Sequence, residues 1–133
     1  MRLGFAVAHP HIVATIERIY TAPYHLNAFQ LLVASRYAEI LPLVHAAAAS
    51  VRSERARVHA ALLALGREPR PSQGNFIYFP VPAPAAQLHT RLAEAGIRVR
   101  NVSGLPGAGS ALRVTIGTAA ENDAFLARLR ECL

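Results

Sequence analysis

Apolar side chains recur every three or four positions through much of the first half of the chain, as in amphipathic helices. This spacing predicts one helix over residues 12–19 and another over residues 27–40. Asn27 and Gln30 have the spacing of a capping box, which marks the start of the second helix. Residues 3–8 instead form a short apolar run that predicts a buried strand. A lone strand is not stable, so this strand requires a partner.

The clearest helical pattern covers residues 42–65. Pro42 is suited to begin this segment or to kink it, and Gly66 is suited to end it. At 1.5 Å per residue the helix would be about 36 Å long. A domain of 133 residues has a radius of gyration of only about 14 Å. We therefore expect this helix to connect two bodies rather than to cover one small sheet.

From about residue 67 the pattern changes to short β-branched and aromatic runs that alternate with helical ones. Strands are predicted at 75–81, 97–102 and 111–117, with helices at 84–95 and after Thr118. Thr118 and Glu121 form a second capping box. The order β-α-β-β-α predicts an α/β fold of the two-layer, α+β type.

Composition agrees with a globular domain of this size. The 133 residues are 53% hydrophobic and 17% charged, which excludes a disordered chain. No apolar run approaches the roughly 18 residues of a membrane span, and the N-terminal run lacks a signal-peptide cleavage site. Cys132 is the only cysteine, which excludes a disulfide framework and favours an intracellular, cytoplasmic location.

All 14 basic residues are arginine, so these residues cannot form a Schiff base through a lysine side chain. The net charge of +6 permits contact with polyanions, but the arginines do not cluster and no nucleic-acid-binding motif is present. Nucleic acid is therefore not favoured as a partner. His9 and His11 lack further ligands nearby, and no metal site is predicted.

Arg113 is the most informative candidate for chemistry. It lies in the middle of the third predicted strand, on the face opposite Leu112, Val114 and Ile116. A guanidinium held on a sheet can grip a carboxylate or a phosphate through two parallel hydrogen bonds. The alternative is a solvated arginine on an open sheet face. Arg100 shares a strand face with Arg98, and the same alternative applies to it.

Five segments, in order, resemble the C-terminal part of fold-type I, pyridoxal-phosphate-dependent aminotransferases, nearest to histidinol-phosphate aminotransferases and their aromatic relatives. They are Arg-Leu-Gly-Phe-Ala-Val-Ala-His-Pro at 2–10, Pro-Tyr-His-Leu-Asn at 23–27, Pro-Ser-Gln-Gly-Asn-Phe at 71–76, Gly-Ile-Arg-Val-Arg at 96–100 and Leu-Arg-Val-Thr-Ile-Gly-Thr at 112–118, the last followed by Glu-Asn at 121–122. Each motif alone is weak, but five in order with ordinary spacing are specific.

The resemblance implies roles at matching positions. Arg2 matches the arginine that binds the phosphate of pyridoxal phosphate. Arg113 matches the arginine that holds the anionic group of the substrate, and Arg100 matches a second arginine that helps to hold a substrate phosphate. Since Arg113 and Arg100 lie on strand faces that can converge, this agrees with the anion site inferred above. Asn75 matches a position near the domain boundary, with no clear role.

The resemblance also implies that essential parts lie outside these residues. The lysine that anchors pyridoxal phosphate falls ahead of Met1. The expected organisation is a remnant of the large domain (1–41, including the strand 3–8), a long connecting helix (42–66) and the small C-terminal α/β domain (67–133).

We therefore expect a segment of an enzyme that transfers an amino group between an amino acid and a 2-oxo acid, inactive alone. Its expected partners are a small anionic substrate and either an N-terminal aminotransferase half or a second copy, with no membrane. The alternative is a non-catalytic binding or oligomerisation module, or a remnant, derived from the small domain.

Overall fold

The computed structural model of the chain describes residues 4, 6–20 and 26–133, with the side chain of Tyr20 left aside. Within them the elements are α1 (Pro10–Tyr20), α2 (Ala28–Ser35), α3 (Tyr37–Ala64), β1 (Phe76–Pro80), α4 (Ala85–Glu94), β2 (Arg100–Asn101), β3 (Ala111–Thr115) and α5 (Ala119–Cys132). The chain divides into two compact units, the N-terminal unit Met1–His45 and the C-terminal unit Ala46–Leu133. The division falls within α3.

The N-terminal unit contains the predicted capping box. The Asn27 side chain accepts a hydrogen bond from the Gln30 backbone at 2.8 Å, and the Gln30 side chain accepts one from the Asn27 backbone at 3.0 Å. The helix that they begin ends at Ser35, earlier than predicted, where the Ser35 hydroxyl donates to the Leu32 carbonyl. Such a bond offers the backbone an alternative to the helix. Because α3 begins directly afterwards, Pro42 lies inside α3 rather than at its start.

The predicted strand at residues 3–8 is wrong for the part of it that the structure describes. Gly4 and residues 6–9 have no regular secondary structure, while residues 3 and 5 lie outside the described residues. A strand needs a neighbour to satisfy its backbone N–H and C=O groups. None of the strands found in the described residues pairs with this segment.

The C-terminal unit has the predicted order β-α-β-β-α. Its antiparallel sheet has the strand order β1-β3-β2, so that β3 lies between the other two strands. Val58 and Leu62 of α3 join the core formed by one sheet face with α4 and α5. The ring of Phe79 meets that of Phe125 edge to face, with the centroids 6.2 Å apart. The second strand, predicted to cover six residues, is paired over only two, at an edge of the sheet.

Two glycines end helices as predicted. Gly66 has φ 69°, and the Arg67 and Gly66 backbones donate to the carbonyls of Leu62 and Leu63. Gly96 has φ 83° and forms the equivalent pair of bonds after α4. This is the Schellman arrangement, in which a residue in the left-handed region satisfies the last carbonyls of a helix.

A polar cluster attaches α3 to the turn between β3 and α5. The buried Asn122 side chain donates to Glu54 Oε2 at 2.7 Å and to the Gly117 carbonyl at 3.1 Å, and it accepts from the Gly117 backbone. Arg57 pairs with Glu54 at 2.7 Å and with Asp123 at 2.6 Å. Hydrogen bonds from Arg57 and then Asn122 hold the pKa of the Glu54 carboxyl below its ordinary value.

No single helix in the described ranges is long and apolar enough to cross a membrane. Only α2 and α3 taken together, with a bend of 81° between them, satisfy the requirements of length and composition.

Candidate functional site

The candidate site is the sheet face that carries Arg113. Register pairing sets Arg113 of β3 directly opposite Tyr78 of β1 on one side and opposite Arg100 of β2 on the other. Residues directly opposite in an antiparallel pair share a face, so these three side chains belong to one face. Leu112 and Val114 alternate with Arg113 and are buried in the core on the other face.

The two arginines of this face have no acidic partner. Among the residues that the structure describes, neither Arg100 nor Arg113 forms an ion pair. Arg113 is half-buried, and its Nε atom is buried without a hydrogen-bond partner in the described part of the chain. Like charges directly opposite each other destabilise a sheet, and a buried donor without an acceptor costs about 1–3 kcal/mol. An anion placed between the two guanidiniums would relieve both penalties.

An aromatic ring adjoins Arg113. Phe76 lies two residues before Tyr78 on β1 and therefore on the same face. The guanidinium carbon of Arg113 lies 5.1 Å from the centroid of the Phe76 ring. This is within the distance at which a cation is attracted to the face of a ring.

A hydrogen bond from a side chain of α3 holds the turn before β1. Arg55 donates from Nη1 to the Gly74 carbonyl at 2.8 Å, and the Gly74 backbone donates to the Ser72 hydroxyl at 3.1 Å. The ring of Phe76 lies close to Gly74, because a Cβ added there would stand 3.1 Å from the Cε1 atom of Phe76. Downstream, the Asn75 carbonyl accepts from the Ile116 backbone at 2.8 Å. The position of Phe76 is thus fixed by the turn before it and by the register with β3.

The glycine-rich loop 103–110 is attached to the same strands. The Tyr78 hydroxyl donates to the Ala108 carbonyl at the middle of this loop. At its ends, the Ser110 hydroxyl donates to the Pro82 carbonyl at 3.3 Å and the Ser103 hydroxyl accepts from the Ala111 backbone at 3.2 Å. The loop is therefore a turn, as its position between two strands predicts, and it is held by Tyr78 of β1 and by its own Ser103 and Ser110 side chains.

The structure gives different information on the other residues singled out in the sequence. Arg2, which the resemblance assigns to the cofactor phosphate, lies outside the described residues. His9 accepts at Nδ1 from the His11 backbone, which is a local contact within the start of α1. In the described part of the chain, no three His, Cys, Asp or Glu side chains come together as metal ligands.

Sequence reasoning singled out the arginines but not the residues that surround them. The sequence predicts an aromatic strand at 75–81 but gives Phe76 and Tyr78 no separate role. Their alternation with Ile77 and Phe79 already puts them on one face. The bond from Arg55 to the turn before β1 had no comparable signal, because its two ends are 19 positions apart.

Comparison with known proteins decides the family. Residues 1–129 match the family model described as aminotransferase class I and II. The chain belongs to this family. It is 35% identical over 131 residues to histidinol-phosphate aminotransferase from Streptomyces avermitilis, and 37% identical over 127 residues to aromatic amino acid aminotransferase from Rhodococcus jostii. These alignments cover 98% and 96% of the chain, but only 34% of each relative.

The class I and II aminotransferase chain thus spans about a third of the length of these relatives. The predicted resemblance to the C-terminal part of histidinol-phosphate and aromatic aminotransferases is confirmed. Because the chain covers 34% of each of these relatives, their substrates and activity come to it only by proposal.

Solved structures agree on the fold. Histidinol-phosphate aminotransferase from Clostridium acetobutylicum superposes with a TM-score of 0.81 at 21% identity, over 91% of this chain and 37% of that one. L-threonine-O-3-phosphate decarboxylase from Porphyromonas gingivalis gives 0.68 at 23% identity, over 94% and 39%. The predicted α/β fold is therefore confirmed, and its structural neighbours are proteins of the fold-type I aminotransferase kind. The decarboxylase shows that this fold alone does not determine the reaction.

Proposed function

We propose that this chain supplies the substrate-anion-binding, C-terminal part of an aminotransferase of the histidinol-phosphate or aromatic type. The observation that carries the proposal is the pair formed by Arg100 and Arg113, which are in register on neighbouring strands without an acidic partner among the described residues. The buried Nε of Arg113, for which the described ranges offer no acceptor, supports a bound anion. A carboxylate satisfies one guanidinium through two parallel bonds, and a phosphate has oxygens enough for both.

The residues present do not fit a covalently bound pyridoxal phosphate. Relatives hold this cofactor through a lysine, and the 133 residues contain none. Arg2, the residue expected at its phosphate, lies outside the described part of the chain. We therefore propose that these residues contribute substrate binding and that the covalent anchor of the cofactor comes from elsewhere. In this proposal the chain is inactive alone.

We further propose that the N-terminal unit meets the lysine-bearing part of an aminotransferase. Large apolar side chains are exposed throughout the described residues of this unit, with Phe29 and Ile19 both 64% exposed and Leu43 72% exposed. A surface of this kind favours a protein partner over water. The domain limits 1–41, 42–66 and 67–133, and a cytoplasmic location, belong to the same proposal.

One observation favours a second candidate function. The same exposed residues would also drive a chain without such a partner to associate with itself. A binding or oligomerisation module derived from the small domain is therefore the alternative. It predicts a self-associated species that takes up no cofactor.

Titration of the purified chain with pyridoxal phosphate, together with its native mass, separates these two functions. The internal-aldimine band, at about 420 nm, requires the amino group of a lysine side chain. A coloured complex heavier than the chain, containing a lysine-bearing partner, supports the aminotransferase. A colourless self-associated species, unchanged by an added N-terminal aminotransferase segment, contradicts the aminotransferase and supports the module.

The anion site is tested separately on the chain itself. Arg113→Ala should weaken the binding of inorganic phosphate or of a small carboxylate by about 10- to 100-fold, because a bond to a charged group is worth about 1.5–3 kcal/mol. Arg130→Ala is the matched control, since Arg130 is exposed on α5 and its loss changes the net charge equally. Equal affinities in the two variants would refute the site.

A further inference from the structure

We propose that Phe76 is a positioning residue for Arg113, whose guanidinium it orients toward an incoming anion; this rests on the proposed function of Arg113. The two residues are diagonal neighbours on adjacent strands, since Phe76 pairs with Thr115 and Arg113 pairs with Tyr78. The guanidinium carbon stands 5.1 Å from the ring centroid.

The chemistry of the contact explains why a ring would serve better than a carboxylate. A carboxylate would orient the guanidinium, but it would neutralise the charge and occupy the in-plane N–H donors that an anion needs. The face of a ring attracts the cation through its quadrupole and uses none of these donors. Arg113 keeps its full charge, and its Nε has no acceptor among the described residues.

Orientation matters here because the arginine side chain is flexible. The loss of rotamer entropy opposes holding a free arginine in one geometry. A contact that restricts the side chain before the anion arrives reduces the loss on binding. In the described residues Arg113 has no ion pair that could restrict it instead.

The ring itself is placed by the fold. It lies against Gly74, whose carbonyl is held by Arg55 of α3, and the strand that carries it is paired with β3. Phe76 is nevertheless 38% exposed, whereas Ile77 and Phe79 on the other face are fully buried. Burial in the core therefore does not explain a phenylalanine at this position, and contact with the guanidinium does.

The test compares Phe76→Leu, Phe76→Tyr and Arg113→Ala in the whole chain, with inorganic phosphate as the probe at constant ionic strength. Phe76→Leu should weaken phosphate binding by about 3- to 10-fold, because an arginine that the ring does not restrict loses more side-chain freedom when it binds. Phe76→Tyr keeps the ring and should bind within about twofold of the parent chain. Phe29→Leu, a second exposed phenylalanine on α2, is the matched control and should bind as the parent does.

A spectroscopic measurement separates positioning from a structural effect. The guanidinium carbon of Arg113 lies 5.1 Å from the ring centroid, so the chemical shifts of the guanidinium protons should move in Phe76→Leu and stay in Phe76→Tyr. Replacing Phe76 by pentafluorophenylalanine keeps the ring shape and reverses its quadrupole, so affinity should fall as in the leucine variant. This variant decides the matter if Phe76→Leu fails to fold.

The outcomes distinguish this inference from the function on which it rests. Unchanged phosphate binding in Arg113→Ala refutes the anion site itself, and the positioning role with it. Binding that is lost in Arg113→Ala but unchanged in Phe76→Leu and in the fluorinated chain overturns the positioning role alone. Weaker phosphate binding in Arg113→Ala, in Phe76→Leu and in the fluorinated chain, together with parent-like binding in Phe76→Tyr, supports both the anion site and the positioning role.

Discussion

The two compact units of the chain differ in where their apolar side chains lie. In the C-terminal unit, Phe79, Leu62 and Leu129 are fully buried in one core. In the N-terminal unit no described residue is buried, and α1 and α2 expose side chains such as Ile19 and Phe29. Both units nevertheless contain helices with the same capping chemistry.

Helix formation and burial therefore have separate origins in this protein. A capping box satisfies backbone groups within four residues and works in either unit. Burial requires other elements to pack against, and most of the stability of a helix in a protein comes from such packing. We therefore expect the two units to respond differently to the same kind of substitution.

Removal of a phenylalanine side chain gives the largest expected contrast. Phe79→Ala leaves a cavity beside Phe125 and should lower the free energy of unfolding by about 3–5 kcal/mol. Phe29→Ala, at a residue 64% exposed, should change it by less than about 0.5 kcal/mol. Urea denaturation followed by circular dichroism measures both. Equal losses would mean that the N-terminal unit has a core of its own.

Asn122→Ala tests how the part of α3 that belongs to the C-terminal unit is held to the turn before α5. It should cost about 1–3 kcal/mol, because the Gly117 backbone groups and Glu54 lose their buried partner. The neighbouring change Asp123→Asn weakens only a surface ion pair and should cost about 0–1 kcal/mol. The same denaturation experiment compares the two variants. A cost for Asn122→Ala no larger than the control would show that the polar cluster does not hold α3.

The two capping boxes allow a matched pair of substitutions. Thr118→Ala removes the acceptor for the Glu121 backbone and should lower the free energy of unfolding by about 1 kcal/mol. Asn27→Ala removes the same kind of acceptor from α2 and should reduce local helix protection in hydrogen exchange without changing the global value. A global loss of similar size in both variants would contradict the separation of the two units.

Lowering the pH should reduce the stability of the C-terminal unit by protonating Glu54, and this is the smallest of the expected effects. Its folded-state pKa lies below the unfolded one, so its contribution is present above pH of about 4.3 and is lost as pH falls through the folded value. Glu54→Gln should make the acid limb of the stability curve shallower. Part of the slope should remain in this variant, because hydrogen bonds from the Thr118 backbone and hydroxyl also lower the pKa of Glu121 in the folded state.

Glu39→Gln, in the exposed ion pair of Arg36 with Glu39, is the control for this measurement. It should leave the acid limb unchanged, because an exposed pair contributes little to stability. An acid limb that is equally steep in the parent and in Glu54→Gln would refute the role given to Glu54.

The sequence predicted most of the C-terminal unit because its signals are local. The strands β1 and β3, the helices α4 and α5 and the helix ends at Gly66 and Gly96 follow from alternation, helical spacing and left-handed glycines. The predictions of a strand for the described part of residues 3–8 and of the length of β2 were wrong, because strand pairing depends on neighbours distant in sequence. The break at Arg36 had no glycine or proline to mark it.

For the candidate site, the alternation around Arg113 correctly predicted the face that carries it. Its position opposite Arg100 depends on the register between strands, and its contact with Phe76 depends on a diagonal across two strands. Neither can be calculated from local periodicity, since both are tertiary. The binding roles given to Arg2, Arg100 and Arg113 stay predictions.

The antiparallel pairing of β2 with β3 has a consequence for how this protein can vary. The spacing of Arg100 and Arg113 is set by backbone hydrogen bonds between strands about 5 Å apart, and the loop that joins the strands does not set it. Insertions or deletions in that loop can therefore accumulate while the two guanidiniums keep their separation. While Arg100 and Arg113 are kept, changes in the length or sequence of this loop can therefore alter the shape of the ligand that fits beside them.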